Sequence, residues 1–123
     1  MGNYKSYSRK KQPKGLLCLT KYVIIQEGVS MNKEERRLIQ QTYTDKMVEY
    51  LPVLRAATNI TQNQLAKKLG VTRSTIVAIE SRKRPLKWHM YLALITVFMQ
   101  NEDSKKLIES FELYDEKTIK QIN

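Results

Sequence analysis

Residues 64–80 read QLAKKLGVTRSTIVAIE. An amphipathic, lysine-bearing stretch stops at Gly70 and restarts almost at once at Thr72. Upstream, Thr61 followed by Gln64 forms a capping box: the threonine hydroxyl accepts from the third backbone N–H of a helix while the glutamine reaches back. Leu65, Ala66 and Leu69 then fall on one face, and Gln62, Asn63, Lys67 and Lys68 on the other. Glycine after Leu69 suits a left-handed C′ residue, because without a Cβ it takes that conformation at no steric cost. Val71 is expected inside the turn, Thr72 as the next cap, and Ile76 and Ile79 inward. The sequence therefore predicts two short helices joined by a tight turn.

The second helix has an unusual outer face. On a 3.6-residue wheel, Ser74, Val77, Ala78 and Ser81 lie opposite Ile76 and Ile79, with Thr72, Arg73 and Thr75 at the exposed N-terminal end. A helix with so little bulk fits the major groove of DNA, where an arginine at its tip pairs bidentately with guanine and small methyl-bearing residues meet thymine methyls.

Charge points the same way. The 123-residue chain carries a formal net charge of +10 and a pI near 9.8, a balance that favours an anionic partner. Residues 55–87 hold eight Lys/Arg and one acid, Glu80, whereas from Asn101 onward six acids face four lysines. The basic surface is thus concentrated around the two helices. The length fits one domain with tails. A single cysteine, Cys18, excludes an internal disulfide and fits a reducing cytosol. With one histidine, His89, it supplies no metal set. No apolar run reaches membrane-span length.

Four segments follow along the chain. Residues 1–30 are a basic extension, read as disordered, as a short strand, or as a leader that is not native. The start MGNYKS fits a short myristoylation pattern. A signal peptide is disfavoured because Lys21 splits the apolar run LLCLTKYVII and no small-residue cleavage site follows. QEGVSM (26–31) is compatible with a purine-rich ribosome-binding sequence before the Met31 codon, which makes Met31 a candidate initiator. Residues 31–45 read as an N-terminal helix ending near Thr44 and Asp45, which are placed to cap the next one. Residues 46–100 carry the helix-turn-helix. Their first helix bears Met47, Tyr50, Leu51 and Leu54 as a stripe and contains Pro52, where a kink or break is expected. Trp88, Leu92, Leu94, Ile95 and Phe98 read as core, and His89 as exposed. Residues 101–123 form a C-terminal helix and tail, with Asp103 or Ser104 as cap and Leu107, Ile108, Phe111 and Tyr114 as its stripe.

The stretch LRAATNITQNQLAKKLGVTRSTIVAIESRKRP resembles the Cro and phage-repressor helix-turn-helix family, often called XRE-like. Leu54-Arg55, Thr61-Gln62, Leu65-Ala66, Leu69-Gly70-Val71, Thr72 to Ile76 and Ile79-Glu80 carry the likeness, over about residues 47–99. The resemblance implies an all-α, five-helix, lambda-repressor-like DNA-binding domain with an N-terminal extension. It implies base-reading contacts from Thr72, Arg73, Ser74, Thr75 and Ala78. Gln62 would touch phosphate, joined by Arg82, Lys83, Arg84 and Lys87 of the basic loop. Arg55 would pair with Glu80 beneath the recognition helix. Two departures stand out. The family places Asn-Gly or Ser-Gly after the glutamate where this chain has Ser81-Arg82, and Ser or Thr before the fourth helix where it has Lys87.

The expected function is sequence-specific double-stranded DNA binding by a bacterial transcriptional repressor, reading a two-fold operator as a homodimer with the helix at Thr72–Ser81. The alternative is an antitoxin that binds a co-encoded partner and represses its own promoter. A cytoplasmic, nucleoid-associated location follows, with no membrane partner. No cofactor or metal is expected. No nucleophile–base pair, paired carboxylates or metal-ligand spacing supports an enzyme.

Overall fold

The structure, a computed structural model, describes residues 31–122. The basic extension expected over residues 1–30 lies outside the described residues, as does the leader ahead of Met31. Six helices and no strands occur among the described residues: α1 (Lys33–Thr58), α2 (Gln62–Leu69), α3 (Arg73–Glu80), α4 (Trp88–Phe98), α5 (Glu102–Ser110) and α6 (Glu116–Ile122). Contacts divide the chain into a unit formed by Gln40–Asp115 and a unit that takes in the flanking chain, up to Ile39 and from Glu116.

The expected division of the N-terminal region at Thr44 and Asp45 is corrected: α1 is one continuous helix of 26 residues. Its start is fixed by a reciprocal pair, the Asn32 N–H donating to Glu35 Oε1 at 3.0 Å and the Glu35 N–H to Asn32 Oδ1 at 2.8 Å. Neither expected cap acts as one. Thr44 is buried and its hydroxyl donates to the Gln41 carbonyl, and Asp45 accepts from the Gln41 amide one turn earlier. Pro52 does not break the helix either. It lies on the exposed side while Met47, Leu51 and Leu54 run on as a fully buried stripe. Burial of three large side chains, each worth about 1.5–3 kcal/mol, outweighs one lost backbone hydrogen bond.

Within the Gln40–Asp115 unit, α2 packs against α3 and α4. Leu65, Ala66, Ile76, Ile79, Leu86, Tyr91, Leu94, Ile95, Phe98, Ile108 and Leu113 complete its core. Tyr91 is buried and donates its hydroxyl to the Leu113 carbonyl at 2.5 Å. Burial pushes its phenol well above the ordinary value, so it stays a neutral donor. Trp88 and Leu92, expected in the core, are half-buried; Trp88 stacks on Tyr91 with ring centroids 4.6 Å apart. Tyr50 is likewise half-buried and stacks on Phe111 at 4.1 Å. Leu69 and Val71 are half-buried rather than inside.

The expected five-helix count becomes six. The cap of α5 is Asn101, whose side chain accepts from the Asp103 and Ser104 N–H groups, rather than Asp103 or Ser104. Ser104 instead is fully buried and donates its hydroxyl to the Phe98 carbonyl. The tail expected at the C-terminus forms α6, in whose unit Thr118, Ile119 and Ile122 are buried together with Met31 and Ile39.

Candidate nucleic-acid interface

The turn between α2 and α3 is built from local signals. Thr61 accepts from the Gln64 N–H while the Gln64 side chain accepts from the Thr61 N–H, closing the capping box. Gly70 ends α2 at φ 73°, and the Val71 N–H bonds back to the Ala66 carbonyl at 3.0 Å. Thr72 then caps α3 by accepting from the Thr75 N–H. Ile76 and Ile79 are buried, which turns Arg73, Ser74, Val77 and Ser81 outward to the exposed side, with Thr75 and Ala78 half-buried.

Beneath α3, Arg55 and Glu80 form a two-pronged pair. Arg55 Nε lies 2.6 Å from Glu80 Oε2 and Nη2 lies 3.0 Å from Oε1, with side chains 19% and 10% exposed. The third arm of the guanidinium donates to the Ile60 carbonyl at 3.2 Å, in the turn before α2. One residue therefore ties α1, the α1–α2 turn and α3 together, in the bidentate geometry that makes arginine–carboxylate pairs strong.

The network extends outward through Gln62. Its amide nitrogen donates to Glu80 Oε1 at 3.0 Å, and its oxygen accepts from Arg73 Nη2 at 3.2 Å. A chain of contacts thus runs from the half-buried Arg55 to the exposed Arg73 at the tip of α3. Gln62 was expected only as a phosphate contact. The structure gives it a second task, holding the orientation of Arg73. Spacing along the chain could not reveal that, because the two residues lie on different helices.

The hydroxyls of α3 are mutually engaged. Thr72 Oγ1 lies 2.9 Å from Ser74 Oγ and 3.0 Å from Thr75 Oγ1, and Arg84 reaches back from the loop to donate to Thr75 Oγ1 at 3.1 Å. Arg82, Lys83, Arg84 and Lys87 are all exposed on the segment that follows. Arg82 occupies the position where the resembling family has glycine, and it adopts the left-handed conformation at φ 64°. The Lys83 N–H bonds to the Ala78 carbonyl at 2.9 Å, so the turn keeps its closing bond with arginine in place of glycine. Lys87 occupies the cap position of α4 and makes no side-chain cap bond. Four cations thus follow the exposed helix with no carboxylate among them. Among the described residues no group of His, Cys, Asp and Glu is placed to hold a metal, and no helix is long and apolar enough to cross a membrane.

Two short helices joined at a left-handed glycine, the second presenting an exposed face beside a basic loop, define a helix-turn-helix unit. Residues 47–104 match the model of the helix-turn-helix domain family. The chain is also 57% identical over 37 residues, 30% of its length, to an uncharacterized HTH-type transcriptional regulator of Methanocaldococcus jannaschii. The match spans 56% of that relative's length. No solved structure matches the chain significantly. The matched segment takes in the α2–α3 stretch, the part of the chain whose residues resemble the XRE-like family.

Proposed function

We propose that this protein binds double-stranded DNA sequence-specifically through α3 and regulates transcription. The observation that carries this reading is Arg73. It stands exposed at the N-terminal tip of α3, held by Gln62, with the four cations of Arg82–Lys87 at the other end of the same helix. An arginine so presented suits bidentate pairing with guanine O6 and N7 in the major groove, and cations following the helix suit backbone phosphates beside the groove. The match of residues 47–104 to the helix-turn-helix domain family and the likeness to the regulator of Methanocaldococcus jannaschii support it.

In this reading Arg73 is the main hydrogen-bonding reader. Thr72, Ser74, Thr75 and Ala78 line its approach, and Gln62, Arg82, Lys83, Arg84 and Lys87 meet phosphates. A single recognition helix covers few base pairs, so the finer proposal is a homodimeric repressor on a two-fold operator, working in the cytoplasm on the nucleoid. The test is selection of duplexes from a randomised library by the full chain, followed by titration at fixed salt. Recovery of a two-fold motif bound about a thousand-fold tighter than scrambled DNA is expected. Equal affinity for every duplex overturns sequence-specific reading, and a motif without two-fold symmetry overturns the dimer.

A further inference from the structure

The polar side chains along α3 are largely spent on one another. Thr72, Ser74 and Thr75 share hydrogen bonds, Thr75 also accepts from Arg84, and the Ser81 hydroxyl donates back to the Ala78 carbonyl at 3.2 Å. Val77 is different. It is 36% exposed, one of three exposed large hydrophobic residues among the described residues, and it alone of the three lies on α3. A lone exposed valine is ordinary on a protein surface. This one sits one helical turn after Arg73, at i+4 on the same side, about 6 Å further along the axis. Its branched Cβ restricts χ1 and so presents its two methyl groups in a nearly fixed direction.

The geometry points to Val77 as a specificity residue that reads the 5-methyl group of a pyrimidine, within about two base pairs of the guanine met by Arg73. The inference rests on the proposed docking of α3 in the major groove and adds to it a second reader of different chemistry. Thymine carries this methyl by nature, and 5-methylcytosine presents the same group at the same position of the ring. A hydroxyl-bearing residue at this place would have to find a partner in the groove. Valine gains instead by removing apolar surface from water, so it rewards the methyl and leaves the ring's polar edge unread.

The test pairs a side-chain deletion with a methyl deletion. The full chain and its Val77→Ala variant are titrated against the selected duplex, and against copies in which each thymine in turn is replaced by deoxyuridine. At one position, loss of the methyl should weaken the full chain about four-fold, the factor that corresponds to about 0.8 kcal/mol for one buried methylene-sized group. The same loss should leave Val77→Ala unaffected. At that position, cytosine and 5-methylcytosine duplexes are compared in a second arm. A methyl-dependent gain in the full chain that vanishes in Val77→Ala extends the reading to methylated cytosine, and its absence overturns that extension and confines the contact to thymine. Equal deoxyuridine losses for both proteins at every position overturn the role of Val77 while DNA binding stands. Failure to recover any preferred duplex overturns the docking itself and this inference with it. Val77→Thr, which keeps the shape and replaces one methyl by a hydroxyl, should lose affinity in the same place without loss of helix content.

Discussion

Glu80 is the residue on which the others depend. It accepts from both prongs of Arg55 and from Gln62, and Gln62 in turn holds Arg73. Removing Arg55 leaves a carboxylate that is only 10% exposed without its cation. Loss of a hydrogen bond to a charged group costs about 1.5–3 kcal/mol, and partial exposure keeps Arg55→Ala below the range of a fully buried pair. Chemical denaturation of Arg55→Ala, Glu80→Gln and the double variant should show coupling above about 1 kcal/mol; simple additivity would mean that the two side chains meet without stabilising each other. Arg73 is a different case, since its contact with Gln62 is exposed and contributes little to folding. Arg73→Ala should leave the melting temperature unchanged and cost about 1–3 kcal/mol of binding at one base pair. A uniform loss across single-base variants of the duplex would make Arg73 a backbone anchor and move base reading elsewhere on α3 or to DNA shape.

At the scale of the helices, the termini decide the geometry. Among the described residues, four helix ends pass through a left-handed residue: Asn59 at φ 56°, Gly70 at 73°, Arg82 at 64° and Glu112 at 53°. Each is closed by a backbone bond reaching back five residues: Ile60 to Arg55, Val71 to Ala66, Lys83 to Ala78 and Leu113 to Ile108. Glycine occupies only one of these places, so only that turn announced itself. Of the other three, Asn59 is a residue that tolerates this conformation, while Arg82 and Glu112 hold it at a cost of about 1–2 kcal/mol for an L-residue. Opposite substitutions should therefore have opposite signs. Gly70→Ala places its Cβ in open space, with nothing within 4 Å, so its cost is the backbone alone, about 1 kcal/mol. Arg82→Gly should gain up to about 1 kcal/mol, the relief of the turn less the extra freedom of the unfolded chain. Thermal unfolding of the two variants checks this, and a destabilised Arg82→Gly would show that the arginine side chain supports the turn by contacts of its own.

For the whole molecule, electrostatics is the property to measure. The net charge of +10 on 123 residues comes from two stretches, residues 1–30 with six Lys/Arg against one acid and residues 55–87 with eight against one, the second ending in Arg82, Lys83, Arg84 and Lys87. If all four neutralise phosphates, the logarithm of affinity should fall with the logarithm of salt at a slope near −3.6 per protomer. Lys87→Ala should reduce that slope by about one and weaken every duplex alike, and an unchanged slope would remove Lys87 from the contact set. What the sequence determined by itself was whatever local physics specifies. The capping box at Thr61–Gln64, the left-handed Gly70, the Thr72 cap and the inward pair Ile76 and Ile79 are all short-range, and together they define the turn and the exposed face of α3. Tertiary structure decided the rest, for reasons of energy and distance. Burial of Met47, Leu51 and Leu54 carried α1 through Pro52 and past Thr44, overriding local signals for an end. Arg82 takes the left-handed conformation where the resembling family has glycine, and only the folded backbone, closed by the Lys83-to-Ala78 bond, shows that it does. The link from Glu80 through Gln62 to Arg73 joins residues 18 and 11 positions apart, so it came into being only when α2 and α3 packed together and brought their side chains within hydrogen-bonding reach.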